Sequence, residues 1–252
     1  MDLELTGKRA IVTGGTRGIG RAIAGRLAAE GAKVAICARD AGAVKEAPFD
    51  YGAAVDVTDE DALAGFVDDA ARALGGLDLV VANAGGGAGG SALHETSAAD
   101  WRTTFDLNVT HAAVLARAAT PHLQRAGGGT ILLIASISGV RPQPKAQYAA
   151  AKAAEIHLAA SLGRELGPDG IRVNALSPGS ILFEGGSWAR RRAADPEAFQ
   201  AWLDDELPEK RLGTAEEVAD VAAFLLSPRA SWINGTNVVV DGAQNQPGMA
   251  GY

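Results

Sequence analysis

The sequence predicts an α/β fold, a doubly wound parallel sheet of about seven strands with helices on both faces. Short apolar runs alternate along the chain with longer alanine-rich segments. The first six runs lack strict polar–apolar alternation, as expected for strands covered on both faces. A repeated strand–helix–strand order implies parallel pairing through right-handed crossovers.

Each element of this fold is predicted from its local pattern. Short runs rich in Val, Ile, Leu and Ala indicate strands, and segments with apolar residues at helical spacing indicate helices. In order, the predicted strands are 9–14, 33–38, 52–57, 77–84, 129–136, 171–178 and 236–242, and the predicted helices are about 19–30, 59–74, 97–125, 146–166 and 214–226. No linker separates them, so residues 1–252 are predicted to form a single domain.

An insertion interrupts the alternation at about residues 181–212, between the sixth and seventh strands. It is far longer than the usual connection of 2–6 residues in such folds. Gly185 and Gly186 follow the carboxyl end of a strand, where ligands bind in doubly wound sheets. We therefore expect a hinged cover over a ligand site, with Phe183 and Trp188 on its apolar underside. The alternative is a peripheral helix pair.

Composition excludes several classes of protein. The chain has 252 residues, of which 47% are hydrophobic, a net charge of −7 and one cysteine, Cys37. Such a charge argues against a nucleic-acid surface, and a single cysteine fits a reducing compartment. The N-terminus lacks a signal-peptide pattern, and no apolar run approaches the roughly 20 residues of a membrane span. The four histidines show no metal-ligand spacing. We expect a cytoplasmic protein without a metal, a membrane or a nucleic-acid partner.

A glycine-rich turn, TGGTRGIG at residues 13–20, ends the first strand and opens a helix. Gly14 permits a sharp turn, Gly18 lets the backbone approach a pyrophosphate, and Gly20 lets the helix pack on the strand. The helix N-terminus adds free N–H groups and a positive dipole end. We therefore predict a dinucleotide cofactor, bound in this turn by Gly14, Thr16, Arg17, Gly18, Ile19 and Gly20.

The spacing TGxxxGxG resembles the short-chain dehydrogenase/reductase family, and the likeness covers nearly the whole chain. Further motifs follow in the family's order: VDV, NAG, FDLNVT, IASISG, YAAAK and SPG. The resemblance implies a Rossmann-type fold, hydride transfer with a nicotinamide cofactor, and a homotetramer. It also implies further cofactor-binding residues, namely Asp56, Val57, Asn83, Ala84, Gly85, Tyr148, Lys152, Pro178, Gly179 and Ile181.

The end of the second strand favours NADP(H) as the cofactor. An acidic side chain that would select the 2′-hydroxyl of NAD is expected near position 38, but the residue there is Ala38. Arg39 follows it, and a guanidinium is a planar fork suited to a phosphate. Arg17 in the glycine turn can approach the same group from the other side.

Tyr148, Lys152 and Ser136 are the predicted catalytic residues. Tyr148 and Lys152 are four residues apart and share a helix face. A free phenol is a poor acid at neutral pH, and a nearby lysine cation favours its ionised form. Ser136 ends the fifth strand, where its hydroxyl can hold a carbonyl oxygen; Ser138 is the rival candidate. Asn108, inside a predicted helix, matches the family's residue that holds a water connected to the lysine.

The resulting expectation is an enzyme that transfers hydride between NADPH and a carbonyl or secondary alcohol. By resemblance, a 3-oxoacyl thioester reductase is the first specific possibility, and a reductase of a free ketone, sugar or steroid is the alternative. A non-catalytic dinucleotide-binding sensor is the alternative from a different class. The presence of both Tyr148 and Lys152 argues against a sensor.

Overall fold

The computed structural model describes residues 1–244 and confirms the predicted parallel sheet. The C-terminal part of the predicted domain, residues 245–252, lies outside the described residues. Nine strands are present in the described chain: β1 (Arg9–Thr13), β2 (Lys33–Ala38), β3 (Tyr51–Ala54), β4 (Leu79–Ala82), β5 (Gly129–Ile134), β6 (Ile171–Pro178), β7 (Ile181–Leu182), β8 (Gly213–Thr214) and β9 (Asn237–Val240).

Seven of these strands form the main sheet in the order β3-β2-β1-β4-β5-β6-β9, and every neighbouring pair is parallel. The connections run in opposite directions from β1 and β4. Parallel strands whose order reverses open a crevice at their carboxyl ends, at the point of reversal. The end of β1 therefore marks the expected position of a ligand.

The helices are α1 (Gly18–Ala29), α2 (Ala41–Glu46), α3 (Glu60–Leu74), α4 (Ala98–Phe105), α5 (His111–Arg125), α6 (Ala146–Leu166), α7 (Ser187–Ala194), α8 (Pro196–Glu206) and α9 (Ala215–Leu226). Successive residues of β1 point to opposite faces of the sheet. Ala10 and Val12 belong to the core shared with α1 and α9, whereas Ile11 belongs to the core shared with α3 and α5. Both faces are thus buried, which explains the apolar strands.

Local signals fix several helix ends. Asp59 caps α3 through a hydrogen bond accepted from the backbone N–H of Ala62, and Gly75 ends the helix in a left-handed conformation. The short helix α2 was not predicted. It is capped in the same way by Asp40, whose carboxylate accepts from the N–H of Ala43.

The predicted helix 97–125 is wrong as a single α-helix. It consists of α4, a π-helical turn at Asp106–Thr110, and α5. The π turn contains Asn108, whose side-chain amide donates to the carbonyl of Thr104 at 2.6 Å and to that of Gly86 at 2.7 Å. A side chain that bonds to the preceding turn competes with the regular ladder, and π turns of this kind occur often at functional sites.

The insertion contains the helix pair α7 and α8. The short strands β7 and β8, which precede and follow these helices in the chain, pair with each other. The Trp188 ring packs within the insertion. Its ring stacks on Trp202 with centroids 4.3 Å apart and contacts Phe199, within a small apolar cluster of the helix pair itself. The rings shield one another from water, and this burial stabilises the helix pair.

Within residues 1–244, no helix combines the length and the apolar character needed to cross a membrane. The thiol of Cys37 is fully buried on β2. Burial raises the pKa of Cys37 to about 12, outweighing a backbone hydrogen bond from Gly14 that lowers it.

Candidate active site

The glycine turn is held against the end of β4 by Asn83. The Asn83 side-chain amide donates to the carbonyls of Thr13 at 2.9 Å and Gly14 at 3.3 Å. Gly14 has a φ of +66°, which disfavours a side chain. At Gly20, an added Cβ would lie 2.3 Å from the Asn83 amide nitrogen and 2.4 Å from the Gly14 carbonyl oxygen. Gly20 thus lets the start of α1 pack closely on the turn and on Asn83, as predicted for the third glycine of the motif.

Phe183 of the insertion packs on the same turn. A Cβ at Gly18 would meet its ring at 2.9 Å, so Phe183 lies directly against the turn. The insertion therefore contacts the predicted cofactor site through Phe183.

The corner beyond β2 carries two arginines. Position 38, where a carboxylate would select the 2′-hydroxyl of NAD, is an alanine. Ala38 ends the strand, and Arg39 and Arg17 are both exposed. Asp56 follows β3, because the predicted strand 52–57 leaves the sheet after Ala54. The Asp56 carboxylate accepts hydrogen bonds from the backbone and hydroxyl of Thr58. These bonds, with a smaller contribution from the Arg39 charge, hold the pKa of Asp56 below its usual value.

Ser136 and Lys152 meet at the carboxyl end of β5. Ser136 follows the strand and accepts a hydrogen bond from the Ser138 N–H at 3.1 Å, capping a short turn. Lys152 is buried, and its ammonium donates to the carbonyl of Ile134 in β5 at 2.8 Å. The same ammonium lies 5.7 Å from the centre of the Tyr148 ring. The predicted pair Tyr148 and Lys152 does share one face of α6.

Asn108 lies beside Gly85 and Gly86, which follow β4. Its Oδ1 accepts from the N–H of Gly86 at 3.2 Å. A Cβ at Gly85 would lie 2.7 Å from that Oδ1 and 3.2 Å from the Lys152 Nζ. Asn108 and Lys152 are therefore adjacent, and they approach each other across a residue that lacks a side chain.

The segment after β6 completes the crevice. Pro178 ends the strand, and the N–H of Gly179 donates to the carbonyl of Val240 at 2.9 Å. Ile181 is buried in β7. The side chain of Gln244 accepts from the N–H of Ser180 at 3.0 Å. The remaining predicted cofactor residues fall on the same turns: Thr16 and Ile19 at the start of α1, Val57 after β3, and Ala84 after β4.

Two buried titratable residues beside this site were not predicted. Glu155 is fully buried, and its Oε2 lies 2.7 Å from the Lys152 Nζ. Its position three residues after Lys152 on a helix could have indicated the contact. His111 bonds through its two ring nitrogens to the hydroxyl of Thr13 and the carbonyl of Leu107. Burial, helped by the Lys152 charge, lowers the pKa of His111 to about 4.

Among residues 1–244, no three or more His, Cys, Asp or Glu side chains are grouped so that they could hold a metal ion.

The loop after Ser136 is tied to the insertion by Arg141. This guanidinium pairs with Glu206 at the end of α8 and donates to the carbonyl of Gln244 at 2.7 Å.

The chain matches the protein family described as Enoyl-(Acyl carrier protein) reductase over residues 14–244. It is 37% identical to isoepoxydon dehydrogenase patN of Penicillium expansum over 258 residues, covering 94% of this chain and 95% of that protein. The crystal structure of L-sorbose reductase from Gluconobacter frateurii, complexed with NADPH and L-sorbose, has a TM-score of 0.91 at 32% identity and covers 98% of this chain and 100% of that one.

A 7 alpha-hydroxysteroid dehydrogenase complexed with NADH and 7-oxo glycochenodeoxycholic acid has a TM-score of 0.86 at 34% identity, covering 96% of this chain and 95% of that one. These matches extend over nearly the whole length of both chains. The chain belongs to the short-chain dehydrogenase/reductase family and is an oxidoreductase.

Proposed function

We propose that this protein is an NADP(H)-dependent oxidoreductase that transfers a hydride between the nicotinamide cofactor and a carbonyl or secondary alcohol. The observation that carries the proposal is the Lys152 ammonium, buried 5.7 Å from the Tyr148 ring at the strand end that holds Ser136. A buried cation beside a phenol favours its ionised form, which brings proton transfer within range at neutral pH.

The bound cofactor supplies the hydride, and the chain's own residues position the other partners. The Ser136 hydroxyl holds the carbonyl oxygen. The Tyr148 hydroxyl donates a proton to that oxygen in the reduction and removes it in the oxidation. Lys152 stabilises the Tyr148 phenolate and holds the nicotinamide ribose. Asn108, whose side chain is fixed by two carbonyls, anchors the water that returns the proton.

The glycine turn and the neighbouring strand ends supply the cofactor site. The turn leaves no room for a side chain at Gly20, which keeps the N-terminus of α1 packed against the end of β1, where it can face a pyrophosphate. We assign the cofactor contacts to Gly14, Thr16, Arg17, Gly18, Ile19, Gly20, Arg39, Asp56, Val57, Asn83, Ala84, Gly85, Tyr148, Lys152, Pro178, Gly179 and Ile181. Asp56 is placed at the adenine edge.

The choice of NADP(H) rests on residues of this chain. The sorbose reductase structure contains NADPH and the hydroxysteroid dehydrogenase structure contains NADH, so similarity alone supports a nicotinamide dinucleotide of either kind. Arg39 and Arg17 are exposed at the corner where the 2′-phosphate would lie, and Ala38 offers no carboxylate to a ribose diol. A guanidinium binds a phosphate through paired, charge-assisted hydrogen bonds.

The insertion is proposed to cover the substrate within a single domain.

The arginines of the insertion bear on the choice of substrate. Arg190 donates to the carbonyl of Gly185, and Arg191 lies 4.8 Å from the Trp202 ring. Two of the three cations at 190–192 are thus used within the insertion, which weakens their case as a binding site for an anionic acyl thioester.

We therefore place free ketones and secondary alcohols first as substrates, and 3-oxoacyl thioesters second. The names of the relatives support both classes, because two solved structures contain L-sorbose and 7-oxo glycochenodeoxycholic acid whereas the matching family is named for acyl carrier protein substrates. The order rests on the arginine contacts within the insertion. A homotetramer and a cytoplasmic location stay predictions from the sequence and its family resemblance.

The test is a screen of cofactor oxidation and reduction. Purified protein is mixed with NADPH or NADH and with sugars, steroids, simple ketones and an acyl thioester, and absorbance is followed. The proposal expects turnover of at least one carbonyl with a preference for NADPH, and none after Tyr148→Phe. Turnover that survives this substitution at more than about a tenth would contradict the assignment of the proton donor, because general acid catalysis contributes about 10²–10⁴-fold.

A further inference from the structure

Glu155 is a buried carboxylate that the proposed reaction does not use. It is fully inaccessible to solvent, in the interior face of α6, and its Oε2 lies 2.7 Å from the Lys152 Nζ. Neither of its carboxylate oxygens has a hydrogen-bond partner among the described residues, so the contact with Lys152 is an ion pair. Burying a carboxylate is costly unless a charge compensates it, so a role beyond packing is expected.

The contact divides the three N–H donors of the Lys152 ammonium. One donor goes to the Ile134 carbonyl at 2.8 Å. The Glu155 carboxylate lies 2.7 Å from the same nitrogen as an ion pair and restricts a second direction. An ammonium has three donors, so one is left for the crevice, where the Tyr148 ring and Asn108 lie. The backbone of β5 and the side chain of Glu155 thus set the direction of the remaining donor.

The charges around the pair are few. On α6, Lys152 feels Glu155 and the phenol of Tyr148. From the start of α5, His111 faces Lys152, and because its pKa is about 4 it is neutral at physiological pH. β5 contributes the uncharged Ile134 carbonyl, and the π turn contributes the uncharged amide of Asn108. Glu155 is therefore the main compensating charge for Lys152.

The balance of effects on Lys152 depends on this carboxylate. Burial is the largest influence and lowers the pKa of Lys152, but the charge of Glu155, followed by Tyr148, raises it above the usual value. Burial likewise raises the pKa of Glu155, although Lys152 opposes the shift. Without the carboxylate, the effect of burial on the pKa of Lys152 would be opposed by Tyr148 alone.

We propose that Glu155 is a positioning residue that keeps the buried Lys152 charged and aims its free donor at Tyr148 and the cofactor ribose. The proposal rests on the proposed function for the identity of the cofactor. It does not depend on turnover for its first test, which concerns the pair in the protein without cofactor.

The first experiment measures the free energy of unfolding by urea denaturation from pH 7 to pH 9.5. The variant is Glu155→Gln, which keeps the shape and removes the charge; the control is Glu165→Gln, which removes an exposed carboxylate from the same helix. In Glu155→Gln the folded-state pKa of Lys152 falls below its unfolded value. The unfolded state then binds more protons, so the variant gains stability relative to wild type as pH rises.

The expected result is a stability deficit of Glu155→Gln that is largest at pH 7 and shrinks toward pH 9.5, while Glu165→Gln shows no such trend. A deficit that is constant with pH would mean that Glu155 serves packing alone and would overturn the proposal. If the variant does not fold at pH 7, it is prepared at pH 9.5, where a neutral amine removes the uncompensated charge. Failure to fold at both values also counts against the proposal.

The second experiment measures NADPH affinity over the same pH range. Lys152 of Glu155→Gln should lose its proton in this range, so the affinity should fall about tenfold more than that of wild type, the equivalent of one charge-assisted hydrogen bond. Equal pH dependence in the two proteins would overturn the proposal. Failure of the wild-type protein to bind NADPH would instead contradict the proposed function, and the unfolding comparison would still stand.

Discussion

Replacing Gly20 by alanine tests the description of the glycine turn. The new Cβ would lie 2.3 Å from the Asn83 amide nitrogen and 2.4 Å from the Gly14 carbonyl oxygen. Neither atom is free to move, because that amide donates to Thr13 at 2.9 Å and the oxygen belongs to the backbone of the turn. Gly25 lies on the same helix, and a Cβ there would meet no atom within 4 Å.

The two substitutions should therefore have effects of opposite sign. Alanine in place of glycine in a helix stabilises by about 0.5–1 kcal/mol, and Gly25→Ala should show this gain. At Gly20 the overlap costs about 1–3 kcal/mol and the displaced Asn83 bond about 1 kcal/mol more. After the helix gain is subtracted, Gly20→Ala should be destabilised by about 1–3 kcal/mol.

Urea denaturation measures both values, with an unchanged m-value as the sign that the unfolding transition is the same. NADPH titration adds a second reading, since a displaced turn should weaken binding in Gly20→Ala and leave Gly25→Ala at the wild-type affinity. If Gly20→Ala is as stable as Gly25→Ala, the close packing of the turn on Asn83 is wrong.

Three further predictions concern the cofactor, the cover and the assembly. Arg39→Asp should cost about 2–4 kcal/mol in discrimination for NADPH, since a charged phosphate contact is lost; equal kinetics of the wild-type protein with NADH and NADPH would refute the assignment. Changing residues 190–192 from Arg to Ser should leave turnover of a neutral ketone and its salt dependence unchanged, because Arg190 and Arg191 are held within the insertion. Exposed charges are screened over about 8–10 Å. A weaker salt dependence of acyl-thioester turnover in the variant would therefore show that these arginines bind the substrate. Light scattering at micromolar concentration should give the mass of a tetramer, and a monomer mass would refute the family expectation.

The sequence was sufficient for the architecture and for most of the candidate site. The strands are apolar because both faces of the sheet are covered, and this pattern is local enough to be recognised without a structure. The helix Ala146–Leu166 agrees with its prediction, and its four-residue spacing alone places Tyr148 and Lys152 on one face. The glycine turn is equally local, because strand, turn and helix follow one another within residues 9–29.

Other features were decided only by contacts between distant parts of the chain. The Asn108 amide in the π turn donates to the carbonyl of Gly86, 22 residues earlier, and a helical pattern cannot predict that bond. Trp188 packs on Trp202 and Phe199, two rings from the following helix, and no local pattern predicts that contact. In the sequence, Glu155 has the character of an ordinary helix-surface residue. In the structure it is enclosed beside Lys152. Burial converts an i, i+3 spacing that is worth little in water into a strong electrostatic contact, and burial is a property of the tertiary structure.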